Sequence, residues 1–279
     1  MAIFYGLTRM YILNKSVFSF TFLALISAAS YADSFQSSAS FSYADFDNRY
    51  SDGSSAAIGL TVYAEEVSIS KGPLALAGFL NKASGVSASF TSSEYSGDFG
   101  SSDSEDYRFS GSAVTHQGLI LGGGYNKSVD EGQDDYTSYL VRVGAYLDDV
   151  TTATFSYSDD DDFDGGAYSF NAFRLSELNS GKKLGYGLNM GYLDVDEFNL
   201  SINMNATYYI NNRLGITGLL GYSHRDFKGG KSASAGLQMG YFIRSDINLS
   251  AGFHVAESGL DISGSSTSNV VAASITTRF

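Results

Sequence analysis

The chain has no cysteine, no tryptophan and a single proline in 279 residues. Without cysteine there is no disulfide framework, no thiolate nucleophile and no thiolate metal site. With Pro73 alone lacking a backbone N–H, the chain suits long paired strands, because proline cannot donate to a ladder. Basic residues are also scarce: 17 Lys and Arg stand against 30 Asp and Glu, a formal net charge of −13. A nucleic-acid binder needs a basic footprint, and a polybasic membrane-surface protein needs clustered Lys and Arg. This composition supplies neither. Beyond residue 32 no apolar run approaches the ~18 residues that a membrane-spanning helix requires.

The N-terminus carries a recognisable address. Arg9 and Lys15 precede the apolar run 17–28 (VFSFTFLALISA), and Ser30 and Ala32 stand at the −3 and −1 positions before Asp33. A basic region, a short apolar region and a small-x-small site predict a secretory signal peptide over 1–32, cleaved to leave 33–279. The apolar run is short for an anchor helix. Met10 is an alternative start that gives a leader of more usual length.

The rest is rich in glycine and aromatics, with 31 Gly, 20 Tyr and 20 Phe. Apolar residues recur there at every second position, the period of a strand with one apolar face. About 14 such windows follow one another, separated by turn chemistry. They begin with 35–46, continue through 83–92, 106–115, 136–147 and 183–193, and close with 269–279. The clearest is 198–210, where Phe198, Leu200, Ile202, Met204, Ala206, Tyr208 and Ile210 alternate with Asn, Ser, Thr and Tyr. The least regular is 166–175, where Phe170 and Phe173 fall on opposite parities. The last window, NVVAASITTRF, ends on Phe279.

The connectors alternate in length. Short turns such as Asp148-Asp149 and Asn211-Asn212-Arg213 alternate with longer acidic or Ser/Gly-rich loops such as 93–105, 159–165 and 258–268. One connector, 70–82 (SKGPLALAGFLNK), is long where a short turn is expected and could form a helical turn. The second face of the strands is Ser, Thr, Asn and Gly with few charges. That fits a water-filled interior better than a soluble sandwich, whose outer face usually carries Lys and Glu. An apolar face in lipid requires closure, since an open edge would leave backbone groups unsatisfied in hydrocarbon at several kcal/mol each. The fold expected is therefore all-β: a transmembrane antiparallel up-and-down barrel of about 14 strands, with about 12 or 16 as the neighbouring even counts.

The leader, the alternating strands, the acidic loops and the terminal Ile275-Thr276-Thr277-Arg278-Phe279 resemble a Gram-negative outer-membrane porin. The segment from Ser70 to Asn81 (SKGPLALAGFLN) further resembles a stretch typical of putative general porins of marine gammaproteobacteria. The resemblance implies an outer-membrane location and passive diffusion of ions and small hydrophilic solutes. It implies contact with membrane lipid and lipopolysaccharide, and assembly by the barrel-insertion machinery, for which Phe279 would be part of the C-terminal signal. A homo-oligomer is compatible with it. The long constricting loop of sixteen-strand porins is missing.

Chemistry was sought in the remaining residues. A hydrolase would need His224 with Asp226, or His254 with Glu257, to converge, and the parity sends His224 to lipid and His254 inward. His116 sits in a short turn. The run Asp159 to Asp162 lacks the ligand spacing of an EF-hand and reads as a solvated loop tip. No cofactor, metal site or catalytic set is expected. The candidate pore-lining residues are Arg108, Arg142, Asn189, Asn203, Asn205 and Gln238. The alternatives to a pore are a non-conducting structural or adhesive barrel and, with less in the residues to speak for it, an outer-membrane hydrolase.

Overall fold

The computed structural model describes residues 33–48, 51–97, 100–130, 135–160, 165–179, 181–194, 198–225, 230–260 and 264–279. The predicted leader, 1–32, lies outside them. Fourteen strands form one closed barrel in which each pairs with its sequence neighbours and β1 (Ser34–Asn48) pairs with β14 (Gly264–Arg278). Every pairing is antiparallel, and Phe41 faces Ile275 across the closing seam.

The parity read from the sequence sets the two faces. On β10 (Phe198–Tyr209) and β11 (Leu214–Arg225), Met204 pairs with Leu220 on the outside and Asn203 with Gly221 on the inside. Leu220 is 63% exposed and Leu237 is 61% exposed. An apolar belt of this extent would be an aggregation surface in water; in hydrocarbon it is the favoured solvent contact. Aromatic rings form a girdle on this face, with centroids 5.4 Å apart for Tyr125 and Tyr139, 5.2 Å for Tyr157 and Tyr168, and 6.3 Å for Tyr168 and Tyr192. Amphipathic rings of this kind settle at a membrane–water interface.

The strands run further than their alternating windows. β3 (Gly85–Gly97) and β4 (Gly100–Val114) stay paired through Glu94 and Asp103 up to Gly97 and Gly100. Most of 93–105, expected as a loop, is therefore ladder. β13 (Ile247–Leu260) and β14 likewise pair as far as Leu260 and Gly264. The physical reason is that strands of 13–18 residues overshoot the bilayer, which needs only ~9–11. Beyond it both faces are wet, so the ladder continues while the hydrophobic alternation stops.

The opposite end carries the short turns, at 149–150 between β6 (Tyr136–Asp148) and β7 (Thr151–Asp160) and at 245–246 between β12 (Gly230–Arg244) and β13. Three register irregularities lie at this end, at Phe35/Ser37, Tyr146/Asp148 and Phe242/Arg244.

The exceptional connector follows β2 (Ser51–Ser68) and folds as a strap. Pro73 opens a 3-10 turn, Leu74–Leu76, and a single α-turn, Ala77–Leu80, follows. Asn81 Nδ2 donates to Ala77 O and Ser68 O, each at 2.7 Å. Lys82 then takes a left-handed conformation (φ 54°) that ends the helix, with its N–H returning to Phe79 O. Ala77 joins Phe35 and Val67 in the buried cluster of this end, flanked by Tyr63, Ile69 and Ala83.

Candidate functional site in the lumen

The strap crosses the short-turn mouth of the barrel. Its contacts reach strands far from its own hairpin. The Phe79 ring lies 5.0 Å from Phe173 on β8 (Gly166–Glu177) and 5.5 Å from Tyr146 on β6. Tyr146 Oη donates to Phe79 O at 2.9 Å. Lys82 Nζ meets Asp149 at 2.8 Å. Leu74 N–H donates to Asn212 O at 2.8 Å in the β10–β11 turn, and Arg278 Nη2 donates to Leu74 O at 2.9 Å. The Arg278 guanidinium is held between the rings of Phe35 and Phe242, 4.5 and 4.6 Å from their centroids. Cation–π contacts out of water are the stronger kind.

This explains the irregular window. Phe170 and Phe173 have opposite parities because Phe170 faces lipid while Phe173 faces inward to meet the strap. Tyr63 and Tyr146 face inward at the same end, Tyr63 closing on the helical turn at Gly78, where an added Cβ would lie 3.3 Å from its hydroxyl. The segment that spans the barrel's mouth thus comes from the short-turn side. Its one sequence signal was a connector too long for its place.

Above the strap the lumen is polar. Hydroxyls pair across strands, as in Thr207 with Thr217 at 2.8 Å and Ser250 with Ser274 at 2.7 Å. Arg108 and Arg142 project inward on β4 and β6. Arg108 Nε donates to Asn126 Oδ1 and Arg142 Nε to Ser156 Oγ, each at 3.2 Å. Neither arginine is within ion-pair distance of a carboxylate among the described residues. Their neighbour Asp106 instead accepts from Ser128 at 2.7 Å. Both residues are exposed on the lumen face.

Asn189 on β9 (Lys183–Asp194) and Asn203 on β10 share a cross-strand row with Asn171 on β8. Asn189 donates to Asn171. Asn205 stands two residues further along β10. Sequence reasoning missed Asn171, because the two phenylalanines blurred the parity of its strand. Gln238 lies apart on β12. It lines a lower chamber of about 290 Å³ between Ala75 of the strap and the wall from β10 to β14. The candidates therefore separate into a cationic pair, an amide row and a single glutamine beside the strap.

The histidines do not converge. His224 pairs with Leu200 in an outward row, whereas His254 faces Gly236 in an inward one. Asp226 and residues 161–164 of the acidic run lie outside the described residues. Among the described residues no cluster of three or more His, Cys, Asp or Glu could hold a metal.

An antiparallel barrel with a lipid belt, an aromatic girdle and a hydrated polar lumen is an outer-membrane channel protein. The chain belongs to the putative general bacterial porin family, whose model matches residues 10–189. Its fold is similar to that of the outer-membrane protein Omp33 of Acinetobacter baumannii, with a TM-score of 0.61 at 18% identity over 88% of this chain and 99% of that one. It is also similar to a bacterial polysaccharide outer membrane secretin, with a TM-score of 0.51 at 10% identity over 88% of this chain and 98% of that one. No curated protein matches the chain in sequence. The protein is a porin of the outer membrane.

Proposed function

We propose that this porin is a passive diffusion channel for ions and small hydrophilic solutes, narrowed at its periplasmic mouth by the strap. The observation that carries this reading is the lumen wall itself: small hydroxyl and amide side chains, with Arg108 and Arg142 bonded only to neutral partners. Guanidiniums at mid-lumen with no ion-pair partner among the described residues favour anions, the one carboxylate beside Arg108, Asp106, being engaged by Ser128. The acidic outer rim acts the other way, on cations gathering outside the pore. The inner pair governs selectivity, because ions pass within contact distance of it.

Residues 1–32 serve as a cleaved export signal in this reading. Phe279 contributes to assembly: its N–H donates to Ser37 O at 2.9 Å, and its carbonyl accepts from Gln36 and Ser37 at 2.7 and 3.1 Å, so its backbone helps hold the seam. Lipopolysaccharide would meet the outer girdle, and the smooth lipid belt would accommodate either a monomer or a homo-oligomer.

Planar-bilayer recording of the purified protein tests the pore. Stable unit conductance is expected. Bilayers that stay silent after verified insertion would overturn the pore and favour a structural barrel, the reading that a strap across the mouth otherwise best supports.

A further inference from the structure

The lumen wall is divided by chemistry. Arg108 and Arg142 stand on β4 and β6, whereas Asn171, Asn189, Asn203 and Asn205 stand on β8, β9 and β10. Asn171, Asn189 and Asn203 face one another in register across three strands, with side chains about 4.8 Å apart by strand spacing. Space has been cleared for this row. A Cβ on Gly221 would lie 2.7 Å from Asn203 Oδ1, and one on Gly187 would lie 2.8 Å from Asn205 Nδ2. The single bond from Asn189 to Asn171 leaves Asn189 Oδ1 and Asn171 Nδ2 open to a solute, and among the described residues the side-chain amides of Asn203 and Asn205 make no hydrogen bond. A chamber of about 410 Å³ lies against the same wall, bordered by Asn189, Ser156, Ser169 and Ser201, and no Asp, Glu, Lys or Arg lines it.

Each amide offers two donor hydrogens and an acceptor oxygen. A row of them, fixed on strands, can replace the hydration of a solute that itself alternates donors and acceptors, and little ordering of the protein is needed. The spacing is comparable with that of next-nearest hydroxyls on a sugar ring. The amides themselves carry no net charge, so an ion gains less from them than a neutral solute that matches their donors and acceptors. We propose that Asn171, Asn189, Asn203 and Asn205 form a binding subsite for neutral polyhydroxylated solutes of monosaccharide size. Transport through this subsite rests on the open-pore reading, but binding to it does not.

The probe is D-glucose, used with the folded full-length barrel. In bilayers, glucose is expected to lower the ion current in a saturable way. Replacing all four asparagines by alanine should raise the half-saturating concentration by about tenfold or more, since each lost hydrogen bond contributes about 0.5–1.5 kcal/mol. Salt conductance of this variant should stay within about a factor of two of the parent, because no charge is removed. Ser250→Ala, a lumen hydroxyl on β13 away from the row, should leave the half-saturation unchanged. A linear, viscosity-like decrease that is the same in parent and variant would overturn the subsite. So would a loss on Ser250→Ala equal to that of the asparagine variant. Should the fourfold variant not fold, the isosteric Asn203→Asp serves in its place, with weakened glucose binding expected and unchanged binding counting against the proposal. Calorimetric titration of the barrel in detergent separates the two readings: saturable glucose binding by a barrel that does not conduct keeps the subsite and removes the pore, and conduction without binding does the reverse.

Discussion

Phe79, carried by the connector between β2 and β3, packs edge-on against Phe173 of β8 with their rings at 85° and 5.0 Å apart. Two residues six strands apart around the wall thus meet inside the barrel, and the contact can form only across the mouth.

The strap should therefore limit the current. Shortening it by replacing residues 72–81 with a tight Asn-Gly turn is expected to raise unit conductance by about twofold or more, as a constriction in series is removed. Phe79→Ala should give a smaller rise with more current noise, because one of several tethers is lost. Single-channel recording in symmetric salt decides this, and unchanged conductance in the shortened protein would show that the narrowest point lies elsewhere.

The two lumen arginines should set ion preference. Arg142→Ala is expected to shift the zero-current potential in a salt gradient towards cation preference, and Arg108→Ala to add to it. With the inner positive charges gone, the acidic rim is left to act alone. No shift in the double variant would assign selectivity to another part of the lumen.

The two faces of a strand should differ in their tolerance of charge. Leu220→Arg on the lipid face is expected to cost about 2–4 kcal/mol, whereas Ser201→Arg on the lumen face should leave folding nearly unaffected and change conductance instead. Reversible denaturant titration in lipid vesicles measures the first, and bilayer recording the second. Equal stability losses would contradict the facing described above.

Acid should loosen one turn at the short-turn end. Hydrogen bonding from the Arg244 guanidinium holds the Asp246 carboxyl below the usual carboxylate range, and burial opposes this to a lesser degree. The backbone oxygen of the same residue accepts from Arg278 N–H at 2.9 Å, tying the turn to the last strand. A depressed carboxyl stabilises the fold above its unfolded value of about 3.9 and loses that contribution as pH falls through its lower folded value. The melting temperature should therefore fall as pH drops from about 5 to about 3, and Asp246→Asn should flatten that limb. Parallel acid limbs in parent and variant would rule the residue out as the cause.

Barrel, parity and turn polarity were legible because a bilayer imposes a two-residue period that Met204, Leu220 and Leu237 obey. Legibility failed where that constraint ends. Glu94 and Asp103 lie past the hydrocarbon, so their pairing left no apolar signature. Phe173, Tyr146 and Tyr63 face inward, against the usual small-residue pattern, since they serve the strap. Its partners are distant in sequence and share no local period. The asparagines of β9 and β10 could be assigned to the lumen by parity. Their alignment into one row with Asn171 depends on register, which local alternation does not give.

The placing of Arg108 and Arg142 away from the row of Asn171, Asn189 and Asn203 has one more result. Two guanidiniums on one side of the lumen, facing a row of uncharged amides on another, set up an electric field across its width as well as along its axis. A solute with a dipole will turn its negative end towards β4–β6 before it advances, so molecules of equal size and net charge will travel at different rates according to where on their framework the charge is placed.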